Sequence, residues 1–137
     1  MLDEIDGRII ELLRENGRAT YVDIAREVGL SEGAVRNRVQ SLLDSGIIMR
    51  FTVELTPSAA VRGLTMISVD PSKPTSAISQ QVEEISDVER IYEVTGEYDI
   101  VTVIASSGIE QVNRCIEKIR GIDGVVKTNT MIVLRTY

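Results

Sequence analysis

The hydrophobic period of this chain changes once along its length, and that change limits the folds open to it. Up to residue 46 apolar residues recur every three or four positions, the spacing of amphipathic helices. From Arg50 onward they alternate, or gather in short β-branched runs separated by further helical stretches. A chain of 137 residues with such a switch reads as two units, each near the lower size limit for a self-sufficient core.

The helical half is punctuated clearly. Ile5, Ile9, Leu12 and Leu13 predict a helix over residues 3–16, acidic in its first turn and stopped at Gly17. Thr20, with Asp23 three residues on, predicts an N-cap, and Ile24, Ala25 and Val28 give a short second helix that Gly29 ends. Ser31 caps a third helix, with Val35, Val39, Leu42 and Leu43 facing inward and Gly46 closing it. Residues 50–55 then alternate Phe51, Val53 and Leu55 with Arg50, Thr52 and Glu54, which predicts a strand placed as a wing. The first domain is expected over residues 1–55, a linker containing Thr56-Pro57-Ser58 over 56–62, and a second domain over 63–137.

The second half runs through one rhythm twice. Residues 64–69 read as a strand, Ile78, Val82 and Ile85 as a helix, and 88–95 as a strand. Residues 98–105 then read as a strand, Ile109, Val112, Ile116 and Ile119 as a helix, and 125–134 as a closing strand. A β-α-β-β-α-β order, with Gly96-Glu97 as a tight hairpin, predicts a ferredoxin-like antiparallel sheet carrying both helices on one face. The fold class is therefore α+β, a winged helix-turn-helix followed by a ferredoxin-like domain. Apolar residues occur at both parities of the strands, as in Ile100, Val101, Val103 and Ile104, so burial of both faces and pairing of two copies through the sheet are expected.

Residues 21–40 carry the chemistry of the first domain. Two helices that cross closely need a small residue at the crossing, a glycine at the turn and an apolar residue inside the second helix; Ala25, Gly29 and Val35 meet those needs. Glu32, Gly33, Arg36, Asn37 and Gln40 are left facing outward. Arg, Asn and Gln are the side chains able to make bidentate contacts to guanine or adenine edges, so the expected partner is double-stranded DNA. Thr20, Ser31 and Arg38 are the expected phosphate contacts. The alternative is a plain three-helix bundle in which Arg36, Glu32 and Gln40 form a solvated face.

Charge and composition narrow the classes further. The net charge of −6 is the wrong sign for a non-specific nucleic-acid binder, so DNA affinity must come from a focused basic surface repeated by oligomerisation. The single cysteine, Cys115, sits at helical spacing with Val112, Ile116 and Ile119 and reads as a buried thiol. Without histidine, the usual zinc sites and Ser-His-Asp catalysis are absent, and no cofactor or metal is expected. Carboxylates such as Glu93, Glu97 and Asp99 lack an accompanying nucleophile-base pair, so an enzyme is not expected. No apolar stretch approaches the roughly 18 residues of a membrane span, and the start is acidic rather than signal-like, as in a cytoplasmic protein.

Several motifs together resemble the Lrp/AsnC, or feast/famine, family of regulators over essentially the whole chain. They are Leu2-Asp3-Glu4-Ile5-Asp6, Ile24-Ala25 with Val28-Gly29-Leu30-Ser31, Val35-Arg36 with Arg38-Val39, Gly46-Ile47-Ile48, and Thr95-Gly96-Glu97-Tyr98-Asp99. The resemblance implies a transcription regulator that answers to an amino acid or related metabolite, with homodimers assembling into tetramers or octamers. It also implies an effector site formed by Gly96, Glu97, Tyr98 and Asp99 with Thr128 and Thr130. Asp99 suits an ammonium, and glycine N–H groups and threonine hydroxyls suit a carboxylate. The alternatives are a simple turn at Gly96-Glu97 with Asp99 paired to an arginine, and a constitutive DNA-organising protein with no small-molecule effector.

Overall fold

The computed structural model describes residues 1–54 and 60–137. In chain order its elements are α1 (Glu4–Glu15), α2 (Tyr21–Val28), α3 (Glu32–Asp44), β1 (Val61–Val69), α4 (Thr75–Glu83), β2 (Val88–Glu93), β3 (Ile100–Ser106), α5 (Ile109–Arg120) and β4 (Val125–Ile132). They fall into two compact units that part between residues 55 and 56.

In the first unit each helix begins where a side chain satisfies its free N–H groups. Asp3 accepts from Asp6 N at 2.8 Å while the Asp6 carboxylate accepts from Asp3 N at 3.2 Å, a reciprocal capping box. Thr20 and Ser31 accept from Asp23 N and Ala34 N at 3.1 and 3.2 Å. Gly29 ends α2 in the left-handed conformation, with φ 69°, which releases the chain into the turn before α3. Ile9, Ile24, Ala25, Val35, Val39 and Leu42 form the core. Burying each of the larger ones contributes about 1.5–3 kcal/mol, which holds together helices too short to persist alone.

The expected wing is not a strand here. Residues 50–54 belong to no ladder of this chain, and Leu55 lies outside the described residues. Alternation is only half of what a strand requires; its N–H and C=O groups also need a neighbouring strand. Among the described residues the four strands of the sheet all lie in the second unit, and Phe51 and Val53 stay exposed.

The second unit is one antiparallel sheet in the order β2-β3-β1-β4. Its burial alternates strictly in the middle: Gly63, Thr65, Ile67 and Val69 of β1 and Ile100, Thr102, Ile104 and Ser106 of β3 face the helices. There they meet Ile78 and Val82 of α4 and Val112, Cys115 and Ile119 of α5. The polar residues in this layer are satisfied: Thr65 and Thr130 share a hydroxyl hydrogen bond of 2.8 Å, and the Thr102 hydroxyl donates to Thr65 O at 3.2 Å. The other face carries Leu64, Met66, Val101 and Val103, half-buried and open.

Several boundaries differ from those expected, β2, β3 and β4 each by one or two residues at an end. β1 takes in Val61 and Arg62, which sequence alone assigns to the linker, because both pair with β3. α4 stops at Glu83, although Ile85 still packs on the core. The connection between β2 and β3 is longer than a tight hairpin and is closed by Val94 N donating to Asp99 O at 2.9 Å.

Candidate nucleic-acid interface and ligand site

On α3 the buried residues Val35, Val39 and Leu42 are spaced four and three apart, and Gly33, Asn37 and Gln40 repeat that spacing two residues earlier. Two residues on a helix turn through about 200°, so this second stripe lies opposite the core and is exposed. An ideal Cβ on Gly33 would meet nothing within 4 Å, so no described neighbour crowds the first turn of α3 at that position. Gln40 donates to Asp44 at 2.8 Å. Arg36 sits to one side of the stripe, toward α2, where its guanidinium is 2.6 Å from Glu32 and 5.5 Å from the centre of the Tyr21 ring. The two N-caps are occupied by their own helices, since the Thr20 hydroxyl also donates to Asp23 Oδ2 at 2.7 Å.

Arg38 is differently placed. Its Nη1 donates to Asp3 and to Asp6, each at 2.7 Å, tying the start of α1 to the middle of α3. The Asp6 and Asp3 hydrogen bonds raise the Arg38 pKa, and those from the Asp6 backbone and then Arg38 lower that of Asp3. Both bonds use Nη1, so the two carboxylates make Arg38 a structural link between α1 and α3. The motif that sequence alone spreads over Leu2 to Asp6 and Arg38 is one interaction.

In the second unit the loop at residues 94–99 is anchored by Asp99. Its N–H donates to Ile67 O at 3.0 Å, and its Oδ2 accepts from Val69 N at 2.7 Å, where the β1–β4 register shifts between Ser68 and Val69. Asp99 thus satisfies a backbone donor that the bulge leaves without a ladder partner. Beyond it, Lys127 lies 3.8 Å from Glu97 and 5.6 Å from the Tyr98 ring centre, and Asn129 Nδ2 donates to the Tyr98 hydroxyl at 3.4 Å. An aromatic face beside a carboxylate is a setting for a cation, and here an ammonium of the chain itself occupies it.

Thr128 and Thr130 do not join this group. Their register partners, Ile67 and Thr65, face the helices, and Thr128 accepts from Arg120 Nε of α5 at 3.2 Å. Strand alternation puts Lys127 and Asn129 on the opposite, open face. Those two were missed because alternation in β4 gives relative parity but not which parity meets the loop. Hollows open on the surface of the described residues include three: about 340 Å³ between α4 and β2, about 430 Å³ between the start of α1 and α3, and about 340 Å³ at the α1–α2 turn. Residues 96–99 line none of the three. Among the described residues no group of three or more His, Cys, Asp or Glu side chains is placed to hold a metal ion, and no helix is long and apolar enough to cross a membrane.

A helix-turn-helix with an exposed polar stripe, followed by a separate ferredoxin-like unit, defines a DNA-binding regulator with a second domain for ligands. The chain belongs to the Lrp/AsnC family: residues 2–43 match the AsnC-type helix-turn-helix domain, and residues 63–137 the Lrp/AsnC ligand binding domain. It is similar to the HTH-type transcriptional regulator LysM of Saccharolobus solfataricus, 43% identical over 99% of this chain and 96% of that one. LysM of Sulfurisphaera tokodaii is 42% identical over 99% and 97%. Among solved structures, the leucine response regulatory protein LrpA of Mycobacterium tuberculosis superposes with a TM-score of 0.89 at 29% identity, covering 99% of this chain and 94% of that one. A feast or famine regulatory protein of M. tuberculosis complexed with L-methionine gives 0.87 at 29%, covering 100% and 95%. This chain is a transcriptional regulator composed of a helix-turn-helix DNA-binding domain and a ligand-binding domain.

Proposed function

We propose that the chain is a sequence-specific regulator whose α3 enters the major groove and whose second unit answers to an amino acid or related metabolite. The observation that carries the DNA half is the stripe of Gly33, Asn37 and Gln40 opposite the core, with Arg36 at its edge. Asn37 and Gln40 suit adenine edges and Arg36 a guanine edge once it leaves Glu32. Thr20 and Ser31 stand at helix starts, where the backbone N–H groups of the first turn suit phosphate oxygens. Replacing Asn37 by alanine is expected to cut discrimination between operator and random duplex by about 1–3 kcal/mol. Full discrimination by that variant in a gel-shift titration at fixed salt would exclude the assignment.

The ligand half rests on the cluster at the β2–β3 loop. Glu97 and the Tyr98 ring suit an ammonium once Lys127 leaves them, and Asp99 keeps Oδ1 without a partner among the described residues. Gly96 and Glu97 offer backbone N–H groups for a carboxylate. Thr128 and Thr130, on the helix face, act through β4 rather than by touching the ligand. A relative of the same architecture was solved with L-methionine, which supports an amino acid as the class. The open apolar face of Leu64, Met66, Val101 and Val103 supports pairing of two copies, and larger assemblies of dimers follow from edges that remain free. As a DNA-binding regulator it works in the cytoplasm. A thermal-shift screen of the twenty amino acids tests the ligand half, because a ligand bound only by the native state raises its stability.

A further inference from the structure

The first unit has seven arginines, and the structure divides them into two groups. Arg8, Arg26, Arg36 and Arg38 are each held by a carboxylate within 2.6 to 3.4 Å. Arg14, Arg18 and Arg50 have no ion pair among the described residues, and all three are exposed. A paired guanidinium has part of its charge already neutralised by a carboxylate, whereas an unpaired one exchanges only water and counterions. In a chain with a net charge of −6, the free arginines therefore dominate attraction to a polyanion.

Arg18 lines the hollow at the α1–α2 turn with Leu13, Thr20, Tyr21 and Phe51. Arg14 and Arg50 are the chain neighbours of two other residues that line it: Arg14 follows Leu13 in the last turn of α1, and Arg50 precedes Phe51. The same hollow contains the start of α2. There the Thr20 hydroxyl takes Asp23 N and Thr20 O takes Ile24 N, leaving Tyr21 N and Val22 N as free donors at the positive end of the helix. In a helix-turn-helix the first of the two helices crosses the sugar-phosphate backbone while the second reads bases.

We infer that Arg14, Arg18 and Arg50, with the start of α2, form the phosphate clamp that positions α3 on DNA, and that the paired arginines do not contribute to it. This rests on the reading of α3 as the recognition helix. The ligand is the backbone of duplex DNA, and sequence plays no part in the contact.

The test is the salt dependence of DNA binding by the full chain, measured between 50 and 200 mM salt, the range over which counterion release changes affinity strongly. Arg14→Gln, Arg18→Gln and Arg50→Gln are each expected to reduce the slope of log K against log salt by about 0.9 for every protomer on the duplex. Operator and random sequences should be weakened alike. Arg8→Gln and Arg26→Gln, which remove paired arginines of the same unit, are expected to leave the slope unchanged. All five positions are exposed, and far-UV circular dichroism of each variant verifies the fold. An unchanged slope in the triple variant R14Q/R18Q/R50Q overturns the clamp, as does an equal loss in the paired controls. Failure of α3 as reader has a different signature: Asn37→Ala would keep its sequence discrimination while the salt slopes still report on the clamp.

Discussion

Asp99 is the residue on which a ligand role and a structural role predict opposite results. Its Oδ2 accepts from Val69 N at 2.7 Å beside a register shift, and Val69 is only 8% exposed. Asp99→Ala removes a charge-assisted hydrogen bond and strands a buried backbone donor, a loss of about 2–3 kcal/mol. Asp99→Asn can turn its amide oxygen to the same N–H and forfeits only the charge, so about 1 kcal/mol is expected. The assay is urea unfolding without any amino acid present, read by far-UV circular dichroism at two protein concentrations so that assembly is separated from folding. The midpoint should fall in the order wild type, Asp99→Asn, Asp99→Ala, with m unchanged. An Asp99→Ala protein as stable as wild type would refute the anchoring role, and so would an Asp99→Asn variant as damaged as the alanine.

Further outcomes follow from the same contacts. Glu32→Gln frees Arg36 from its carboxylate, so binding to random duplex should strengthen and the operator-to-random ratio fall in a competition gel shift. Gly124→Ala places a Cβ 2.7 Å from Ile78 Cδ1 at a φ of +100°, and should destabilise the second unit by about 1–3 kcal/mol in the same urea assay. The Asp3 pKa is lowered by the Asp6 N–H and then Arg38, so this group's stabilisation is complete above about pH 4 and is lost as pH falls through the depressed value. Asp3→Asn should flatten that acid limb of a stability-pH profile. Burial raises the pKa of the Cys115 thiol, so alkylation by iodoacetamide should be negligible in the native protein and rapid in denaturant.

What could be read from the sequence was local. The period of Ile5, Ile9 and Leu12, the caps at Thr20 and Ser31 and the glycine after α2 each depend on residues within one or two turns, and the helices start and stop within a residue or two of those signals. The outward stripe of α3 was legible for the same reason, because helical geometry relates Gly33, Asn37 and Gln40 to Val35, Val39 and Leu42 without reference to anything else. The β-α-β-β-α-β order was legible too, since the two alternating runs on each side of a helix leave few topologies.

The tertiary structure decided whatever depended on which distant groups meet. Arg38 finds Asp3 and Asp6 more than thirty residues away, and that encounter makes it an internal strut, a role no local pattern signals. The register of β1 against β4 sends Thr128 and Thr130 to the helices and brings Lys127 and Asn129 to the loop; a shift of one residue would have reversed them. Residues 50–54 alternate as a strand should, yet no ladder among the described residues receives them, because pairing requires a second strand that local pattern does not supply. Period and capping are properties of a segment, whereas charge pairing, register and strand partners are properties of the assembled chain.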